Sequence, residues 1–201
     1  MRISQADFTT PPPTWAEIFG NANPVEVEIG FGKGSFLLAL ARTHPERNFY
    51  GVEYMGRWAL RLTRLAERDG QTNIIAIHAD ITCLARTLFW PESVSAYHLY
   101  FPDPWWKRRH EGRRLFRGDF AATLMRTLKP GGTICLASDV QTYFTSIVQQ
   151  FSALPKLTQF PWQRDHVTKK GKLIVTDFER KYQKEGRSIY YAGFRKTDRG
   201  V

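Results

Sequence analysis

Three carboxylates stand at or just after the ends of three successive strand-like runs. Glu28 begins the run Glu28-Ile29-Gly30-Phe31-Gly32-Lys33-Gly34, which closes the apolar stretch Val25–Ile29 and opens a segment of helical periodicity. Glycines spaced this closely let backbone approach a ligand where a Cβ would clash, although such turns also join strands to helices where no ligand binds. Glu53, in Gly51-Val52-Glu53, ends the next run, where a carboxylate can accept from both hydroxyls of a ribose. Asp80, in His78-Ala79-Asp80, follows the third and can accept from an adenine amino group. Acids that merely solvate a surface scatter along helices, so this placement points to an adenosine site.

The residue types narrow the ligand. A magnesium-nucleotide loop needs Gly-Lys-Ser/Thr, and here Lys33 is followed by Gly34. A nicotinamide site prefers G-x-G-x-x-G, but Ser35 takes the third glycine's place and a pyrophosphate would meet Glu28. Acids lining a pocket favour a cation without phosphate, and S-adenosylmethionine, with its sulfonium and ammonium, is such a ligand. A fourth strand-like run, residues 94–101, leads into Phe101-Pro102-Asp103-Pro104-Trp105-Trp106-Lys107-Arg108-Arg109-His110. Two prolines stiffen the chain around Asp103, and fixed placement of an acid is what positional catalysis requires; the plain alternative is an Asp capping a turn. Aromatic rings beside Lys and Arg are the usual means of holding an unpaired base and its phosphates, with core packing the competing reading for each tryptophan.

Phe-Pro-Asp-Pro-Trp followed by Lys107 and a basic run ending in His110 resembles the signature of the bacterial tRNA (guanine-N7-)-methyltransferases. That family belongs to the class I S-adenosylmethionine-dependent methyltransferases and methylates the guanine at position 46 of the variable loop. The resemblance spans residues 25–190 and includes Gly186-Arg187-Ser188-Ile189-Tyr190 near its end. It implies that S-adenosylmethionine is contacted by Glu28, Gly30, Gly32, Glu53, Asp80 and Asp103. It further implies that tRNA is contacted by Lys107, Asp139 and the segment Thr176-Asp177-Phe178-Glu179, with Arg108, Arg109 and His110 of the basic run beside them. The chain departs from the family at Gly112, where a basic residue is frequent, and at Asp177, where Lys or Glu is.

Guanine N7 has a free lone pair and can attack a sulfonium methyl in line without prior deprotonation. The task left to the protein is alignment and stabilisation of the positive charge that moves onto the purine. Asp103 suits the first place among catalytic residues as an anion near that charge, with orientation of the guanine as a second role. Two other readings stay open: a methyltransferase of the same fold acting on another RNA base or a protein side chain, and a non-catalytic RNA-binding module. The intact set of Glu53, Asp80 and Asp103 argues against the module.

The elements that must hold these residues alternate. Strands are expected at Val25–Ile29, 48–52, Ile74–His78, 94–101 and 133–137, and helices at 35–42, Gly56–Arg68, 120–128 and 141–151, with Lys129-Pro130-Gly131-Gly132 closing the third helix. Gly56–Arg68 is expected to bury Trp58, Leu62 and Leu65. This rhythm implies an α/β fold, a mostly parallel sheet with helices on both faces whose strand ends bind the ligand. Residues 188–196 read as an antiparallel C-terminal edge. The resemblance specifies the Rossmann-like class I methyltransferase fold with seven strands. Residues 1–24, with Pro11, Pro12, Pro13 and Pro24, read as an N-terminal arm carrying at most one helical turn, ahead of a single domain over 25–201.

The formal charge of +10 is not spread evenly. Residues 105–118 hold six Lys/Arg against Glu111, and residues 163–201 hold eleven against five acids, which leaves the remainder slightly negative. Clustering of this kind suits a polyanion more than it suits solubility. Arg57, Arg61, Arg64 and Arg68 recur at helical spacing and read first as a solvated face, with RNA contact as the alternative. Cys83 and Cys135 are the only cysteines and read as small buried residues, and the five histidines have no metal-ligand spacing. With no signal-like or membrane-spanning stretch, the expectation is a cytoplasmic protein, monomer or homodimer, that uses no metal and meets tRNA rather than a membrane.

Overall fold

The computed structural model describes residues 11–104, 115–116, 118–163 and 166–197. Trp105, Trp106, Lys107, Arg108, Arg109, His110 and Gly112 lie outside the described residues. Seven strands form one sheet: β1 (Val25–Ile29), β2 (Asn48–Glu53), β3 (Ile74–His78), β4 (Val94–Tyr100), β5 (Leu128–Ser138), β6 (Leu157–Phe160) and β7 (Tyr190–Lys196). Their order is β3-β2-β1-β4-β5-β7-β6. The first five are parallel, β7 runs antiparallel to β5, and β6 pairs antiparallel with β7 as the outermost strand. The expected antiparallel edge is therefore a pair of strands, with residues 190–196 inside it.

Side-chain alternation along β1 divides the molecule into two layers. Val25, Val27 and Ile29 face a core shared with α4 (Ile81–Thr87), α5 (Phe120–Thr127) and α6 (Gln141–Ser152). Glu26 and Glu28 face the other way, beneath α2 (Ser35–Thr43), α3 (Gly56–Arg68) and their apolar contacts Phe36, Leu37 and Leu62. The helix α7 (Asp177–Lys184) joins this second layer, its buried Glu179 accepting from the Tyr191 hydroxyl of β7 at 2.8 Å. The buried residues of α3 are Ala59, Leu62 and Ala66, while Trp58 and Leu65 are half-buried. Two alanines facing inward bring α3 close to the sheet and turn the larger side chains to its flank.

The proline-rich arm carries α1 (Trp15–Phe19), started by a capping box in which Thr14 and Glu17 exchange hydrogen bonds. Trp15 packs against Tyr50 and Phe89, each at 5.0 Å between ring centroids, so this part of the arm is docked on the domain. Cys135 is buried as expected, whereas Cys83 is only half-buried.

A buried polar chain crosses the second layer. Glu26, 5% exposed, accepts from Arg47 Nη1 at 2.8 Å, and its other oxygen lies 2.8 Å from Nε2 of His98, whose Nδ1 is 2.8 Å from the Tyr100 hydroxyl. Burial alone would raise the Glu26 pKa; the hydrogen bonds and charges of His98 and Arg47 outweigh it and bring the value from 4.5 down to about 2. Because the folded value is the lower one, this carboxylate stabilises the fold above about pH 4.5, and the contribution is lost as the pH falls towards 2. Glu26→Gln is expected to reduce the unfolding free energy by about 3 kcal/mol at pH 7. Urea titrations at decreasing pH should show the difference between wild type and variant closing below pH 4.5; a difference that stays constant would contradict this account.

Candidate functional site

The glycine run turns from β1 into α2 through left-handed backbone, with φ of 75° at Gly30, 54° at Gly32 and 77° at Gly34. A Cβ at Gly30 or Gly32 would meet nothing within 4 Å, so both turns present open backbone. At Gly34 it would come within 2.8 Å of the Leu62 side chain, which ties the turn to α3. Glu53 holds this arrangement from the end of β2. One carboxylate oxygen accepts from the Gly32 N–H at 2.9 Å and the other from the Met55 N–H at 2.8 Å.

Beside the turn is a cavity of about 500 Å³, within the usual range for small-molecule sites. Glu28, 3% exposed, lines it together with Gly30, Gly32 and Tyr100. Trp58 contributes from α3, and Asp177, Phe178 and three cations, Arg180, Lys181 and Lys184, contribute from α7. Ser35 Oγ donates to Asp177 Oδ2 at 2.5 Å, joining the first residue of α2 to the first residue of α7. Such a pocket, with a buried acid, open backbone and flanking aromatic rings, can accept a nucleoside-sized cation. Among the described residues no cluster of three metal-ligating side chains occurs.

The expected site residues divide into two groups. Glu28, Gly30, Gly32, Thr176, Asp177 and Phe178 line the cavity. Glu53, Asp80, Asp103, Asp139 and Glu179 do not. Asp80 is the N-cap of α4, where its Oδ1 accepts from the Thr82 backbone at 2.8 Å and the Thr82 hydroxyl at 2.6 Å. Asp139 pairs with Arg187 at 3.0 Å. Thr176 caps α7 by accepting from the Glu179 N–H at 3.0 Å, and Glu179 itself is fully buried. Sequence reasoning missed Lys33, Trp58, Tyr100 and the α7 cations as cavity residues. The Thr176-x-x-Glu179 spacing is a capping signature that would have revealed α7 and placed its basic residues on a helix.

Asp103 is exposed and follows a constrained turn. Phe101 has φ 53°, a conformation that costs a non-glycine residue about 1–3 kcal/mol and persists only when its surroundings fix it. Its N–H donates to Ala137 O at 2.7 Å, and its ring meets Tyr182 at 5.4 Å and Phe178 at 6.2 Å, both on α7. The Arg187 guanidinium covers Tyr182 at 4.5 Å while pairing with Asp139. Burial and the Asp139 charge raise the Tyr182 pKa, Arg187 opposes them, and Glu185 and Asp103 add smaller upward contributions. Asp103 thus lies within electrostatic reach of the helix that fixes its turn.

The strand order, with a glycine turn beside a cavity that holds a buried acid, is that of the Rossmann-like class I methyltransferase fold. Among solved structures, the aminoglycoside resistance methyltransferase NpmB1 superposes with a TM-score of 0.61 at 16% identity, over 89% of this chain and 90% of that one. An rRNA methylase from Streptococcus thermophilus superposes with a TM-score of 0.58 at 12% identity, over 88% of each chain. The family model described as "Putative methyltransferase" matches residues 22–192. The tRNA (guanine-N(7)-)-methyltransferase of Leifsonia xyli is 38% identical over 89% of this chain and 78% of its own length. That of Aliivibrio fischeri is 31% identical over 95% and 80%. The chain belongs to the tRNA (guanine-N7)-methyltransferase family.

Phe101→Gly relieves the backbone at φ 53° but removes the ring that α7 holds. Turnover is expected to fall by about tenfold to a hundredfold, the scale of a misplaced reacting group. Phe101→Tyr should keep most of it. Initial rates of methyl transfer for the two variants check this, and a fully active Phe101→Gly would show that the ring does not position Asp103.

Proposed function

We propose that this protein transfers the methyl group of S-adenosylmethionine to N7 of a guanine in the variable loop of tRNA, at position 46, in the cytoplasm. The observation that carries the reading is the cavity in which buried Glu28 and the open turns at Gly30 and Gly32 meet a helix bearing Arg180, Lys181 and Lys184. The buried acid at one wall suits a phosphate-free cation, and the cations that line the rest, Lys33, Arg180, Lys181 and Lys184, suit the phosphates of an RNA acceptor. Glu28, Gly30 and Gly32 would hold S-adenosylmethionine, with Glu53 keeping the turn in place and Asp80 presenting a carboxylate at the end of β3. When bound, S-adenosylmethionine supplies an electrophilic methyl group.

The rest of the chemistry is positional. N7 needs no base, so the residues of this chain have to orient the purine and oppose the charge it acquires. Asp103 supplies the anion. Lys107, Arg108, Arg109 and His110 follow it in the chain and would meet the RNA, and Asp139, Thr176, Asp177, Phe178 and Glu179 complete the acceptor side. Of these last five, Thr176, Asp177 and Phe178 act at the cavity. Asp139 and Glu179 act through Arg187 and Tyr191, their hydrogen-bond partners.

Incubation with labelled S-adenosylmethionine and unmodified tRNA, followed by mapping of the labelled nucleotide, is expected to give 7-methylguanosine in the variable loop. Label in another base or in protein would favour a different acceptor, and donor binding without transfer would favour a binding module. Asp103→Asn is expected to lower kcat by about 10²–10³-fold, the usual loss on removing one preorganised electrostatic group, with donor and tRNA affinity retained. Full turnover by that variant would remove Asp103 from the catalytic role.

A further inference from the structure

The arginines of α3 are not equivalent. At the end of the helix remote from the cavity, Asp69 takes ion pairs from Arg68 and from Arg42 of α2, and Glu67 precedes Arg68, so two acids there face two cations. Arg57, Arg61 and Arg64 are exposed and have no ion pair among the described residues, and Glu67 is the only acid in the helix. A face kept for solubility alone usually carries acids at i,i+4 spacing to its cations, and this one does not. The unbalanced cations are those nearest the functional edge, where Trp58 of the same helix lines the cavity and the Arg57 guanidinium stands 4.9 Å from the Trp58 ring centroid.

Apolar surface is interleaved with them. Leu60 is 52% exposed beside the arginines, and Tyr54, just before the helix, is 72% exposed. Unpaired guanidiniums among exposed rings and aliphatic side chains match a strand of nucleic acid, whose phosphates need neutralising and whose bases offer flat apolar faces. From Arg57 to Arg64 the helix rises about 10 Å, roughly three phosphates of a stacked strand at about 3.4 Å each.

From this we infer that Arg57, Arg61 and Arg64 form a track for the ribose-phosphate backbone of the RNA acceptor, running from the cavity down the exposed face of α3. The inference rests on the RNA-methylating reading above and extends it to a surface outside the cavity. The track lies on α3 and the other cations on α7, where they line the cavity itself, so the acceptor strand would be held by two helices.

The test compares the Arg61→Ala/Arg64→Ala and Arg61→Glu/Arg64→Glu pairs with Arg68→Ala, which removes one cation from the balanced end. With unmodified full-length tRNA, the alanine pair should raise KM about tenfold and the glutamate pair more, with kcat at saturating tRNA changed by less than about twofold. The slope of log affinity against log salt should flatten by about 1.4, at roughly 0.7 for each single-strand phosphate that the protein no longer neutralises. Calorimetric affinity for S-adenosylmethionine and the melting temperature should not move, and Arg68→Ala should behave as wild type. An unchanged KM and salt slope in the glutamate pair, while wild type methylates tRNA, would overturn the track and leave the functional reading standing. So would an equal KM rise in Arg68→Ala, since that would report net charge and not place. Absence of any transfer to RNA by wild type would overturn both.

Discussion

The parallel pairing of β1 with β2 on one side and β4 on the other is the constraint from which the site follows. The chain leaves β1 for α2 under one face and leaves β4 towards α5 on the opposite face, so the connections diverge and a crevice opens above the two strand ends. Everything that could do chemistry is carried to that edge: the glycine turn after β1, Glu53 at the end of β2, Asp80 after β3 and the Asp103 segment after β4. Glu53 then fixes the crevice by using both carboxylate oxygens on backbone N–H groups of two different turns. A carboxylate engaged in this way holds the glycine backbone open at the positions where no Cβ is present to close it.

The second constraint is electrostatic. The layer beneath α2 buries Glu26 and Glu28, which parallel sheets with both faces covered seldom tolerate. Glu26 is satisfied inside the protein by His98 and Arg47, and the same histidine reaches Tyr100, which lines the cavity. Glu28, one pleat further along, lies against the cavity instead. Two acids on the same face of one strand thus have different places: one anchors the layer, the other lines the cavity.

Most of the sheet was legible in the sequence because β1 to β4 are apolar runs bounded by turns, and their helices carry clean periodicity. What escaped was short or polar. Residues 81–87 make a two-turn helix whose initiating cap is Asp80, an acid that reads equally as a ligand acceptor. The strand β6 has four residues and pairs only with β7, so neither length nor alternation marks it. Residues 177–184 contain one buried side chain, the acid Glu179, and Phe178 and Tyr182 alone are too few to make an apolar stripe. Lys129-Pro130-Gly131-Gly132 reads as a turn from composition, yet it lies within the span of β5, whose pairing with β4 shifts register there. At the site, acids placed at strand ends were legible as a set, whereas Trp58 reads as a core residue and Tyr100 only as part of a strand, and both are shared between core and cavity.

The least legible element has the widest reach. The eight residues of α7 touch the glycine turn through Asp177 and Ser35, and the Asp103 turn through Phe178 and Tyr182 against Phe101. Its cap is set by Thr176, its inner face by Glu179 on Tyr191 of β7. A displacement of this helix would therefore be felt at the glycine turn, through the Ser35 hydrogen bond, and at the backbone that aims the acid, where Phe101 is in a left-handed conformation that relies on neighbours to persist. Ser35 and Asp177 are also where this chain departs from simple motifs: a serine in place of a third glycine and an aspartate in place of a longer or basic side chain. The hydrogen bond between them uses both residues, since a glycine could not donate it and a lysine could not accept it, while a glutamate would have to accept it from one bond further out.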